Sequence, residues 1–191
     1  MQDICQKSFL TCDLVNETYS FAKGGNAKGK FYVVDDDELS KADVIIAASS
    51  VADACIIKEV TGYTTVASVD LGNMATVAKK LHEQYPDKAI IAAAPDINFI
   101  MGHNANDILF KSITGIENIS VVTPSFGLHN HDFDKQEKNR LSHWSELPQT
   151  RFGKDGVKTQ IVKAVTQILE RVNVKSQVQE QTKKNTQTMS R

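Results

Sequence analysis

Two almost wholly apolar runs, Asp43-Val44-Ile45-Ile46-Ala47-Ala48 and Lys88-Ala89-Ile90-Ile91-Ala92-Ala93-Ala94, constrain this chain more than any other feature. A strand with one wet face alternates apolar and polar side chains, whereas a strand covered on both faces reads as a continuous apolar run. Each run is too short for a buried helix and is followed by a segment of helical period. Ser50 to Val60 reads as a helix, and so does the segment carrying Met74, Val77, Ala78 and Leu81, with Lys79, Lys80 and Glu83 on its other face. Thr64–Val69 and Ile119–Val122 read as further strands, Phe31–Val34 as a short β-type run, and Asn106–Ile113 as a weaker helix. Val157, Ile161, Val162, Val165, Ile168, Leu169 and Val172 form a last amphipathic stripe. Strands alternating with helices imply an α/β fold with a mostly parallel central sheet and helices on both faces. Ligands of such sheets sit beyond the carboxyl ends of the strands. Here those ends are Ala48-Ser49, Val69-Asp70 and Ala94-Pro95-Asp96.

The 191 residues suit one domain, expected over residues 23–174. A polar segment, 1–22, precedes it. A tail, 175–191, carries Lys175, Lys183, Lys184 and Arg191 against Glu180 alone and has few large apolar residues. Such a composition cannot offset its ordering entropy by burial, so the tail is expected to be disordered and basic. No run of apolar residues is long enough to span a bilayer, and the first ten residues lack a charged-then-apolar signal pattern. Three cysteines, an odd number with no C-x-x-C pair, fit reduced thiols. A cytoplasmic protein without a membrane partner is the expectation. A net charge of −1 means that any nucleic acid must be held by a local patch.

One stretch carries a family signature. Thr61-Gly62-Tyr63-Thr64-Thr65-Val66-Ala67-Ser68-Val69-Asp70-Leu71-Gly72-Asn73-Met74 continues to Leu81-His82-Glu83-Gln84-Tyr85-Pro86-Asp87-Lys88. Phe152-Gly153-Lys154-Asp155-Gly156-Val157 leads into the last helix. With the Gly/Lys-rich run Lys23–Lys30 before them, these motifs resemble the Toprim domain of plasmid- and phage-type primases and related mobile-element proteins, over roughly 23–172. The resemblance implies a Toprim-like sandwich and, in active members, clustered carboxylates that hold Mg²⁺ for phosphoryl transfer, with a Glu shuttling protons. Hard oxygen ligands suit that ion.

The departures fall on the chemistry. In the family register the catalytic Glu lands on Ser49 and its following Gly on Ser50. The Asp-x-Asp pair lands on Pro95 and Ile97, with Asp96 between them. A slip of one residue would give Asp96-Ile97-Asn98. The late aromatic-x-acid-Leu motif is matched by His143-Trp144-Ser145-Glu146-Leu147. A serine hydroxyl does not titrate near neutral pH, and Pro95 and Ile97 offer no side-chain oxygen. The expectation is therefore a non-catalytic relative, without a cofactor, that binds nucleic acid or a replication or transfer protein. Two alternatives stay open. One is a Mg²⁺-dependent enzyme whose rearranged site gathers Asp70, Asp96 and Glu146. The other is a decayed fragment of a larger plasmid protein.

Other residues have two readings each. Lys23, Lys28 and Lys30, in a glycine-rich run, suit either a phosphate backbone or a plain hairpin turn. His129, His131, Asp132 and Asp134 are ligand types at close spacing, with Asp96 as a further candidate, yet the stretch continues as a charged loop. Asp70 suits a ligand or water contact, and Asn73 a helix cap. Trp144 suits base stacking or anchoring of its loop. Cys55, in an apolar helix, reads as core.

Overall fold

In the computed structural model the described residues are 10–13, 18–21, 27–96, 105–127 and 141–189, with side chains described for 27–96, 108–127 and 141–173. Strands β1 (Leu10–Asp13) and β2 (Thr18–Phe21) pair antiparallel as a small ribbon. The polar segment gives no sequence signal for them, because four residues of alternating type are too few for a periodic pattern.

The main sheet holds β3 (Tyr32–Val33), β4 (Val44–Ala48), β5 (Thr64–Ala67), β6 (Ala89–Ala93) and β7 (Ile119–Val122), in the spatial order β3-β5-β4-β6-β7. The last four are mutually parallel, and β3 adds one antiparallel edge, with Tyr32 opposite Ala67. The helices are α1 (Val51–Thr61), α2 (Leu71–Gln84), α3 (Ala105–Ile113) and α4 (Gly153–Met189). A 3-10 helix covers Trp144–Gln149.

The continuous apolar runs have the cause expected of them. In β4, Val44, Ile46 and Ala48 face a core shared with Ala54 and Ile57 of α1 and Val157, Ile161 and Val165 of α4. The intervening Ile45 and Ala47 face Val77, Ala78 and Leu81 of α2. In β6, Ala92, followed by Ala94 just beyond the strand, meets Met74 and, from α3, Leu109 and Ile113. Period 2 along each strand thus feeds two cores at once. Small alanines at the strand ends let the helices approach the sheet closely.

Two expectations about helix faces need correcting. Cys55 is exposed: Asp53, Ala54 and Ile57 form the inward face of α1, and residue 55 lies off that stripe. Val162 is likewise exposed, while Val157, Ile161, Val165 and Ile168 carry the α4 contact. The backbone of α4 stays helical to Met189, through the segment for which composition suggested disorder. Burial is not the only criterion there, since adding residues to an existing helix needs no new nucleus. Gln, Lys and Glu are also good helix formers.

Candidate site at the carboxyl ends of the strands

The chain passes from β4 outward to β5 and then returns to β6 on the other side of β4. The strand order therefore reverses between β4 and β6, the place where open α/β sheets form a crevice. Ser49 follows β4, and Pro95 and Asp96 follow β6, so these residues flank the crevice.

The residue that organises it is Asp53, which sequence reasoning missed. Ser50 caps α1, its Oγ accepting the Asp53 backbone N–H at 3.0 Å. That places Asp53 in the first turn, where an acid complements the helix dipole. Its side chain is fully buried. Oδ2 accepts a hydrogen bond from Ser49 Oγ at 3.1 Å and lies 2.9 Å from Nδ1 of His143, while Oδ1 accepts the Ser145 backbone N–H at 2.9 Å. Burial pushes this carboxyl up. The hydrogen bond and charge of His143, with the bonds from Ser145, outweigh that and hold it below the ordinary aspartate range. The only local signal for Asp53 was an acid three residues past a Ser cap. Two of its partners, His143 and Ser145, lie some ninety residues away.

The 142–149 segment covers the strand ends. The Ser142 carbonyl accepts the Asp96 N–H at 2.7 Å, and the indole Nε1 of fully buried Trp144 donates to the Ala94 carbonyl at 3.1 Å. Trp144 anchors the loop in the core, and the stacking alternative is set aside, because no face of the ring is open to a base. Glu146 accepts the backbone N–H groups of Ser142 and His143 through Oε2, both at 2.7 Å, so its carboxylate closes its own turn. The segment is bonded at once to the end of β6 and, through Asp53, to the end of β4.

The second turn, between β5 and α2, is structural. Asp70 caps α2, its Oδ1 accepting the Asn73 N–H at 2.8 Å. Gly72 leaves room for this cap, since a Cβ there would crowd the same oxygen at 3.1 Å. The cap is thus Asp70, not Asn73. Asn73 instead clamps the edge of the sheet: Oδ1 accepts the Gly29 N–H at 2.7 Å, and Nδ2 donates to the Lys30 and Ser68 carbonyls at 2.9 and 2.7 Å. Val69, between Ser68 and Asp70, is β-branched yet has φ +76, a strained conformation.

Ser49 is buried, Pro95 is buried, and Asp96 is partly exposed. Lys28 is exposed and Lys30 partly so, in a turn closed by the Lys30 N–H to the Ala27 carbonyl at 2.9 Å. Ile97, Lys23, His129 and His131 lie outside the described residues. Among the described residues, no three His, Cys, Asp or Glu side chains group so as to hold a metal, and no helix is long and apolar enough to cross a membrane. Asp70, Asp96 and Glu146 are not brought together as a ligand set.

A mostly parallel sheet with two helices on each face, and a polar cluster over its switch point, defines a doubly wound α/β protein of the architecture expected for a Toprim-like chain. No family model and no solved structure matches the chain. Part of it is similar to DNA primase TraC of Escherichia coli, in two sequences of that name. One is 38% identical over 91 residues, 47% of this chain and 6% of the relative; the other is 38% identical over 80 residues, 41% of this chain and 8% of the relative. The chain is thus related to DNA primases over somewhat less than half its length, and the match covers under a tenth of theirs.

Proposed function

We propose that this chain is a Toprim-like domain of a primase-related, mobile-element protein, and that it works by binding single-stranded nucleic acid instead of by phosphoryl transfer. One observation carries this reading. At the place of the Toprim general acid and base stands Ser49, buried, with its hydroxyl committed to Asp53. Several other acids of the crevice are engaged within the protein: Asp53 with His143 and Ser145, Glu146 with two backbone amides, Asp70 in a helix cap. A general acid or base must reach the reacting proton and titrate near the working pH, and Ser49 does neither. Pro95, in the register of the first Asp, brings no side-chain oxygen to a cation.

Binding draws support from elsewhere in the fold. The similarity to DNA primases suggests a nucleic-acid context, and the Gly/Lys turn at residues 27–30 presents lysine at the edge of the sheet. The test is twofold. The purified protein is expected to make no primer and to nick no DNA with Mg²⁺ or Mn²⁺, and to bind a labelled single strand with an affinity that falls as salt rises. Metal-dependent activity lost in Asp96→Ala would overturn the non-catalytic reading. Undetectable binding at low salt would overturn the nucleic-acid one.

A further inference from the structure

We infer that Tyr32, on the edge strand β3, is a base-stacking residue, and that Lys28 and Lys30 beside it hold the adjoining phosphates of a single strand. This deepens the proposed function and rests on it. Tyr32 is 51% exposed, the most exposed aromatic among the residues whose side chains are described. Its cross-strand partner is Ala67, whose single methyl leaves the ring uncovered. The neighbours Phe31 and Val33 pack against the α2 side of the sheet, so alternation turns Tyr32 to the opposite face, beside α1. The buried core clusters do not include that ring.

The charge along this edge is polarised. Before Tyr32, toward the carboxyl ends of the parallel strands, comes the turn with Lys28 and Lys30. It is held rigid by Asn73 and by Lys80, whose Nζ donates to the Gly29 carbonyl at 3.1 Å and lies 5.9 Å from the Phe31 ring. After Val33, toward the amino ends, come Asp35, Asp36, Asp37 and Glu38, where Lys58 is paired with Asp37 at 2.5 Å. Asp35 lies three residues beyond Tyr32, in a short 3-10 helix at Val34–Asp36 that follows the strand, a separation within about one Debye length at ordinary salt. A polyanion is therefore drawn to the lysine end and turned away from the acidic end. An exposed aromatic face beside backbone-tracking lysines is the usual arrangement for sequence-tolerant binding of single strands. The contact favours single strands because a duplex keeps its base faces stacked inside.

The test is fluorescence anisotropy of the full chain with labelled oligodeoxythymidine, and with a duplex of the same length, at several salt concentrations. Tyr32→Ala is expected to weaken single-strand binding on the order of tenfold while leaving the salt slope unchanged. Tyr32→Phe, which keeps the ring, should stay within about twofold of the parent. Lys28→Ala should flatten the slope by about 0.7. Circular dichroism checks that each variant is folded, which the exposed positions favour. If the parent binds and Tyr32→Ala binds equally well, the stacking site is overturned while the proposed function stands. If the parent does not bind at all, both fall. Equal affinity for duplex and single strand would also overturn the stacking site.

Discussion

Asp53 holds a carboxylate where water does not reach, and four groups make that tolerable: Ser49 Oγ, His143 Nδ1, the Ser145 amide and the first turn of α1. Removing the carboxylate would leave several of these donors unpaired, so Asp53→Ala is expected to cost about 3 kcal/mol in urea unfolding. Placing at residue 49 the glutamate that the proposed Toprim register would put there should also fail. Ser49→Glu would bury a second carboxylate next to the first, and about 3 kcal/mol of destabilisation is expected with no gain of metal-dependent activity. The pH dependence has a definite sign. The folded Asp53 carboxyl releases its proton more readily than the unfolded one. Its contribution to stability is therefore complete above the unfolded value and is lost as pH falls through the folded value. Unfolding free energy measured from neutral pH downward should drop on the acid side, and Asp53→Asn should reduce that drop. At this scale the sequence was only partly legible. Ser49 and Pro95 were located through the family register. Asp53 was not, nor was its contact with His143, which the sequence offered only as part of the late motif, because hydrogen bonds between residues 90 apart leave no periodic trace.

At the scale of elements the reading was far more complete, for a physical reason. Burial on both faces forces β4 and β6 to be apolar throughout, and a single wet face forces period 3.6 on α2, so both appear directly in residue order. What escaped was local: the ribbon of β1 and β2, the outward turn of Cys55, and the helical backbone of 175–189. The β5–α2 turn offers a test of how local strain is carried. Val69 has φ +76 at a position fixed on both sides, by Ser68 Oγ donating to the Ala48 carbonyl at 3.0 Å and by the Asp70 cap. A β-branched residue in that region costs on the order of 1 to 3 kcal/mol. Val69→Gly, which adopts such angles freely, is expected to raise stability by about 1 kcal/mol despite its greater chain entropy. A thermal melt that shows no gain would mean that the turn relaxes around valine without strain.

At the scale of the molecule, the sheet and the basic tail should separate cleanly in their duties. The apolar stripe that holds α4 to the sheet runs from Val157 to Val172, and the sequence after it turns polar. Beyond Asn173 the helical backbone runs to Met189, about 24 Å at 1.5 Å per residue. The segment 175–191 carries four cations, Lys175, Lys183, Lys184 and Arg191, against one acid, Glu180. Deleting 175–191 should therefore leave the melting temperature of the domain within a degree or two. Binding is expected to respond differently. Each lysine or arginine that meets a phosphate adds about 0.7 to the slope of log affinity against log salt for a single strand. The deletion should weaken binding at low salt and flatten the slope in proportion to the number of phosphates that the tail had neutralised. Asp70→Ala should not weaken binding, since that carboxylate caps α2 and repels phosphate. It should instead cost about 1 kcal/mol of stability through loss of the cap. Anisotropy titrations at three or more salt concentrations, run beside the melts, check all of these together. A deletion that melts the domain would place the tail in the fold. A deletion that leaves both the melt and the slope untouched would confine the nucleic-acid contact to the edge around Tyr32.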